Sequence, residues 1–396
     1  MVDFDFPLHW DKLMLFQVAT EQKISNKNIH HQNLLSLSYG NIKRKDINTH
    51  GGLLPTSFDT YQIVNAGNII LRLTDLQNDH KSLRVGFVTE TGIITSAYTC
   101  LKARENILPQ FLYLLLHAYD LNKIFYGMGG GVRQSIGYSD IRKMTIALPP
   151  LDEQEKIVRY LDKKTSQIST YINAKKKEIE LLGELKRSII SEAVTKGLHS
   201  SQSAQRKFIR LKNLVKNISD KKNYLGGNYI GLENIESWSG KITLVNIEND
   251  SVESILNSFD ERYILFGKLR PYLAKVATPN FSGQCSTELL TLLPRTNIHK
   301  KFLFYVMISS WFIDIVHSST YGTKMPRANW NFIGNIKISV PQLKEQREIA
   351  DFLDAKCAKI ERLIEALQNE IKFVEELRIR IISDVVTGKI DVRELT

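Results

Sequence analysis

The segment LPPLDEQEKIVRYLD, beginning at Leu148, returns as VPQLKEQREIADFLD, beginning at Val340. Aligned without a gap over 50 residues, the two copies share 20 identities, among them Pro149/Pro341, Leu151/Leu343, Glu153/Glu345, Gln154/Gln346, Leu161/Leu353, Glu184/Glu376, Ile189/Ile381, Ser191/Ser383 and Thr195/Thr387. Such a match is a duplication, and it restricts the fold more than any other feature. Whatever architecture one copy adopts, the other must adopt as well.

Each copy carries a helical period. Ile157, Leu161, Ile168, Ile172 and Ile179 in the first copy, and Ile349, Leu353, Ile360, Ile364, Leu367 and Ile371 in the second, recur at steps of three, four or seven. That spacing makes one apolar seam of the coiled-coil kind. Prolines 149, 150 and 341 precede the two helices, and Gly197 and Gly388 stand where helix-ending glycines belong. A helix of about 44 residues is about 66 Å long at 1.5 Å per residue. No small core buries that length, so each helix needs a partner, and an antiparallel pairing with its own twin is the simplest closure.

The duplication reaches beyond the helices. FYGMGGGVRQSIGYSDIRKMTIALPP from Phe125 lines up with VHSSTYGTKMPRANWNFIGNIKISVPQ from Val316. Both contain a Gly-bearing basic loop, an aromatic (Tyr138 or Trp330) and a short apolar strand that ends at proline. Upstream lie amphipathic helices near 109–125 and 300–316, and before them Gly-punctuated, β-rich stretches such as GNIILRL and STELLTLL. The expected fold is mixed α/β: two globular units, two long antiparallel coiled-coil helices, and an internal pseudo-two-fold repeat. The boundaries fall at 1–147, 148–197, 198–339 and 340–396. The middles of the units align poorly, as expected if two similar modules act on different targets or if the middles have drifted neutrally.

At 396 residues the chain suffices for two domains. Its net charge of +11 points toward a polyanion. The charge is uneven: residues 197–342 hold 18 Lys and Arg against 10 Asp and Glu, residues 1–151 hold 15 against 12, and the helical segments are nearly neutral. No run approaches the roughly 18 apolar residues of a membrane span. The acidic opening MVDFDFPLHWDK is unlike a secretory signal, and a cytoplasmic location is expected. Cys100, Cys285 and Cys357 form no CxxC pair and read as small core residues, and His30-His31 lacks a third metal ligand at a useful spacing.

If the polyanion is a nucleic acid, binding needs Lys and Arg on phosphates and a few polar side chains at base edges. In the first unit the candidates are Lys43, Arg44 and Lys45; Arg72, Lys81 and Arg84; and Arg133, Gln134 and Ser135. In the second they are Lys221, Lys222, Asn223 and Tyr224; Lys268, Arg270 and Tyr272; and Lys324, Arg327 and Asn329. Arg and Gln have the geometry for bidentate contacts to guanine and adenine respectively.

The LPPLDEQ and VPQLKEQ helix entries, the loop glycines Gly129 and Gly131 with Arg133, and LRPYLAK together resemble the specificity subunit of type I restriction-modification systems. The resemblance covers nearly the whole chain. It implies two target-recognition domains, each reading half of a split, asymmetric double-stranded DNA sequence. Paired helices would dock two methyltransferase subunits, which two motor-nuclease restriction subunits can join. It also implies that this chain is not an enzyme and holds no cofactor, S-adenosylmethionine, ATP and Mg being handled by partners. The residues agree: GMGGGVR lacks the Gly-Lys-Ser/Thr ending of a phosphate loop, and neither proline site forms a methyltransferase Asn/Asp-Pro-Pro-aromatic clamp. The competing reading is a coiled-coil adaptor that presents two domains to protein partners.

Overall fold

The structure is a computed structural model that describes every residue except 1–5, 28, 30, 48–54, 56, 77, 80–81, 129–134, 199–205, 224–226, 244–254, 323 and 396. The chain forms two compact units, residues 1–175 with 369–396, and residues 176–368. The long helices run Leu151–Lys196 and Leu343–Val386, so each unit takes part of both.

The first unit opens with the strand Asp11–Met14, antiparallel to Thr145–Leu148. One sheet orders Ala19–Glu21, Thr99–Ala103, Ile69–Leu71 and Val85–Phe87. A second orders Asn41–Lys45, Leu34–Ser38, Gly92–Ile94 and Gln62–Val64. Alternation along Ile69–Leu71 explains the layering, because successive side chains leave a strand on opposite faces. Ile69 and Leu71 pack with Phe111, Leu112 and Leu115 of the helix Pro109–Leu121, whereas Ile70 packs with Leu37, Val64 and Ile94 of the second sheet. A strand covered on both faces is apolar throughout, and each such isoleucine contributes about 2–3 kcal/mol by burial.

The second unit repeats this plan. Lys207–Arg210 pairs with Lys337–Val340, and one sheet orders Val215–Asn217, Leu289–Pro294, Ile264–Gly267 and Val276–Ala277. Ile264 and Phe266 face the helical layer, while Leu265 joins Ile230, Phe259 and Cys285 between the sheets. The helical layer itself departs from expectation: Lys300–Ile308 and Ser310–Ser318 are separate helices, because Ser309 caps the second by accepting from Phe312 N.

The second sheets account for the divergent middles. Gly92–Ile94 pairs antiparallel with Gln62–Val64 and parallel with Leu34–Ser38. Gly283–Cys285 does the same with Ile255–Phe259 and Tyr229–Ile230. The outer strands differ. Asn41–Lys45 adds a hairpin to Leu34–Ser38 in the first unit, whereas Lys221–Asn223 lies against Ile255–Phe259 in the second.

The helices pack antiparallel within each unit. In the first, Ile157 and Leu161 share a core with Ile382, Val385 and Val386, and further along Lys175 meets Glu370 at 3.4 Å. In the second, Lys186 meets Glu361 at 2.7 Å, and Ile190 and Val194 share a core with Ile349 and Leu353. As residue numbers rise along one helix, those of its neighbours fall along the other. Ile157, Leu161, Ile172, Ile349, Leu353, Ile360, Leu367 and Ile371 are buried, and Ile168, Ile179 and Ile364 are half-buried.

The repeated Glu-Gln pair anchors each helix to its unit. Gln154 is fully buried; its Oε1 accepts from Leu108 N at 2.8 Å and its Nε2 donates to Pro149 O at 2.9 Å. Gln346 accepts from His299 N at 2.7 Å and donates to Pro341 O at 2.9 Å. Leu108 and His299 each cap the helix that follows them. Glu153 accepts from Trp10 Nε1 at 3.1 Å, and Glu345 pairs with Arg206, so each carboxylate ties down the chain entering its unit. Gly197 (φ +86°) and Gly388 (φ +73°) end the long helices in the left-handed region that favours glycine. A Cβ at the former would strike Arg206 and Glu345, and at the latter Pro7 and Trp10.

Candidate nucleic-acid interface

The second unit gathers several sequence candidates around one cleft of about 460 Å³. Lys221, Lys268, Arg327 and Asn329 line it, together with Asn217, Ser219, Tyr321 and Trp330. Three separate stretches reach this place for definite reasons. Lys268 follows the buried strand Ile264–Gly267, and its carbonyl accepts from Ala328 N at 3.0 Å. That bond draws the basic loop against the strand end. Within the loop, Arg327 N donates to Tyr321 O at 3.1 Å, closing a narrow turn on whose rim Tyr321 and Lys324 are exposed. Lys221 arrives on an edge strand, and alternation sends Lys222 the other way, where it pairs with Asp220 at 2.8 Å.

The charge in the cleft is mostly uncompensated. Among the described residues, neither Lys221 nor Lys268 makes an ion pair, while Arg327 is paired with Glu288 at 2.9 Å. Asn329 caps the short helix Trp330–Ile333 through its Oδ1, which leaves its amide nitrogen as a donor. Asn223, Arg270, Tyr272 and Lys324 lie in the same unit without lining the cleft. Arg270 holds φ +48° and donates its N–H to Pro326 O at 2.7 Å, and the exposed Tyr272 ring meets His317 edge-on at 5.3 Å. Tyr224 falls outside the described residues.

The polar cleft lining escaped sequence reading. Asn257 lies in a buried strand, where it holds Ser219 Oγ at 3.0 Å, and a polar residue inside an apolar strand was the available signal.

In the first unit, Lys43 and Lys45 project from one face of the hairpin strand Asn41–Lys45 without ion pairs among the described residues. Arg44 and Ile42 take the other face, where Arg44 forms a fork with Glu90, Nε donating at 2.7 and 2.8 Å. The pair lowers the Glu90 carboxyl and raises the Arg44 guanidinium. The exposed Ser135 lies next to Ile136, whose N–H donates to Leu73 O at 3.0 Å, the counterpart of the bond between Ala328 and Lys268. Arg72 lies beside that junction and pairs with Asp79 at 3.7 Å. Lys81, Arg133 and Gln134, with Gly129 and Gly131, lie outside the described residues.

Arg84 requires a correction. It is fully buried, and its guanidinium donates to the carbonyls of Arg72 (3.2 Å), Thr74 (2.6 Å), Asp75 (3.1 Å) and Asp79, and to Tyr126 Oη (2.9 Å). A turn whose carbonyls converge needs internal donors, and Arg84 supplies them in place of touching a ligand. Among the described residues no group of His, Cys, Asp or Glu has the arrangement of a metal site, and no helix is long and apolar enough to cross a membrane. The three cysteines are buried and unpaired, and burial pushes the Cys100 and Cys285 thiols up to about 12.

Residues 62–181 and 208–372 match the family model of the type I restriction modification DNA specificity domain, once in each half. The chain belongs to this family. It is a type I DNA specificity subunit, a recognition subunit and not an enzyme. The specificity subunit of the type I restriction enzyme EcoDI from Escherichia coli is 24% identical over 367 residues, spanning 84% of this chain and 79% of its own. That of MjaVIII from Methanocaldococcus jannaschii is 26% identical over 366 residues, spanning 84% and 81%. Among solved structures, a chain from work on complex assembly and conformational transition of the type I R-M system superposes with TM-score 0.71 at 15% identity, covering 98% of this chain and 100% of that one. The HsdS subunit from Thermoanaerobacter tengcongensis gives 0.53 at 16%, covering 98% and 99%. These likenesses extend the shared fold over the whole specificity subunit.

Proposed function

We propose that each globular part of this specificity subunit reads one half of a split, asymmetric DNA target. The observation that carries the reading is the cleft of the second unit, where Lys221, Lys268 and Arg327 converge from three separate stretches among amide and hydroxyl side chains. Cations supply affinity for phosphate, and neutral polar groups supply choice among base edges. The first unit offers Lys43 and Lys45 on its added hairpin and Ser135 beside Arg72. Different edge strands on a common frame suit different half-sites. We assign 1–147 and 198–339 to target recognition, and 148–197 and 340–396 to the long helices and the C-terminal tail.

The helices also display apolar residues outside their seam, at duplicated positions. Leu181 and Leu185 are about half exposed, as is the counterpart Leu377, and the counterpart Phe373 is about two-thirds exposed. Each pair is spaced i, i+4 and so lies on one helical face. One apolar patch written twice suits two copies of one partner, which we take to be the methyltransferase subunit. Two restriction subunits would join that assembly, and S-adenosylmethionine, ATP and Mg would be bound by the partners in the cytoplasm.

The test is binding of the complex to duplexes matching both halves, one half or neither, at several salt concentrations. Loss of either half should weaken binding, and replacing Lys221 and Lys268 with Ala should make the salt dependence shallower by about two charges. An adaptor would respond to neither.

A further inference from the structure

Arg327 is the most constrained cation in the cleft. Its backbone is tied on both sides, N–H to Tyr321 O at 3.1 Å and carbonyl to Tyr321 N at 3.4 Å. Its side chain is about half exposed, and Nη2 donates to Glu288 Oε1 at 2.9 Å. Its other guanidinium donors have no protein partner among the described residues. Glu288 is fixed in turn: its carbonyl accepts from Lys268 N at 3.0 Å, and its Oε2 is buried without a hydrogen bond among the described residues. An acidic residue beside a DNA-reading cleft opposes phosphate, so it weakens general affinity. In return it limits the orientations of one guanidinium, and bidentate readout of a guanine edge depends on that orientation.

We infer that Glu288 is a positioning residue for sequence choice by the second unit, aiming Arg327 at one base pair. The inference rests on the DNA-reading function proposed above. Without Glu288, Arg327 gains the freedom to follow any nearby phosphate. Discrimination at one position then falls while general binding rises.

The test is base-resolution methylation mapping of cells expressing the full chain with its methyltransferase, comparing wild type, Glu288→Gln and Glu288→Ala. Gln keeps an acceptor for Nη2 and removes the charge, whereas Ala removes both. The expected result is a motif in which one base pair of one half relaxes by about 10-fold or more in Glu288→Ala and less in Glu288→Gln, with the other half unchanged. Purified Glu288→Ala complex should also bind unrelated duplex more tightly than wild type. An unchanged motif in both variants would overturn the positioning role, and so would equal weakening of both halves. A wild-type complex that methylates no split motif would instead overturn the DNA-reading function itself.

Discussion

Gln154 and Gln346 never meet solvent, yet each holds the cap of a neighbouring helix and the proline carbonyl before its own. Replacing either with Ala leaves a half-buried N–H and a buried C=O without this partner. Each change should destabilise the chain by about 2–4 kcal/mol in denaturant titrations. The identity of the glutamines was plain from the repeat, but their task was not, because the helix caps they hold lie 46 or 47 residues upstream in sequence. Arg84 was illegible for a similar reason. A lone arginine in a polar loop looks the same on paper whether it meets phosphate or a ring of carbonyls. His117 adds a pH dependence. Burial, aided by Arg378, holds its pKa down to about 4, and Tyr113 stacks on it at 5.6 Å. The unfolded chain takes up this proton near pH 6.5 and the folded chain only near 4. The resulting stability is therefore present above 6.5 and lost as the pH falls toward 4, by about 2 kcal/mol between pH 7.5 and 5. His117→Phe should remove that part of the slope when wild type and variant are unfolded side by side.

At the scale of elements, the long helices were the most legible part, because a period of three and four over more than 40 residues has no other regular explanation. Their seam follows the alternation of Ile and Leu, and Ile371, buried in the first unit, tests it. Ile371→Asp should cost at least about 3 kcal/mol, seen as a lowered unfolding midpoint, because it puts a carboxylate in place of a buried apolar side chain. Leu181, Leu185, Phe373 and Leu377 fall off that phase, and only exposure sets them apart. Leu185→Lys with Leu377→Lys should leave the melting temperature within a few degrees of wild type and reduce the number of methyltransferase copies retained on size exclusion. Full retention would remove these residues from the docking surface. The sheets were legible as β-rich segments, but their order was not. Register depends on pairings between distant strands, such as Leu34–Ser38 with Gly92–Ile94, that leave no local mark.

For the whole molecule, the duplication carries the account. It is seen in the shared sheet order, the paired Glu-Gln anchors and the glycine stops, and it ends where the outer strands diverge. Those divergent strands bear some of the cations assigned to DNA: Lys43 and Lys45 in one unit, Lys221 in the other. The direct test is base-resolution methylome sequencing of cells expressing the methyltransferase with wild-type chain, with Lys43→Ala and Lys45→Ala together, or with Lys221→Ala and Lys268→Ala together. The account predicts a split motif in wild type and reduced methylation under limiting expression in both variants. Any relaxation should be confined to one half in the first variant and to the other half in the second. Relaxation of the same half by both variants, or full methylation in each, would contradict it.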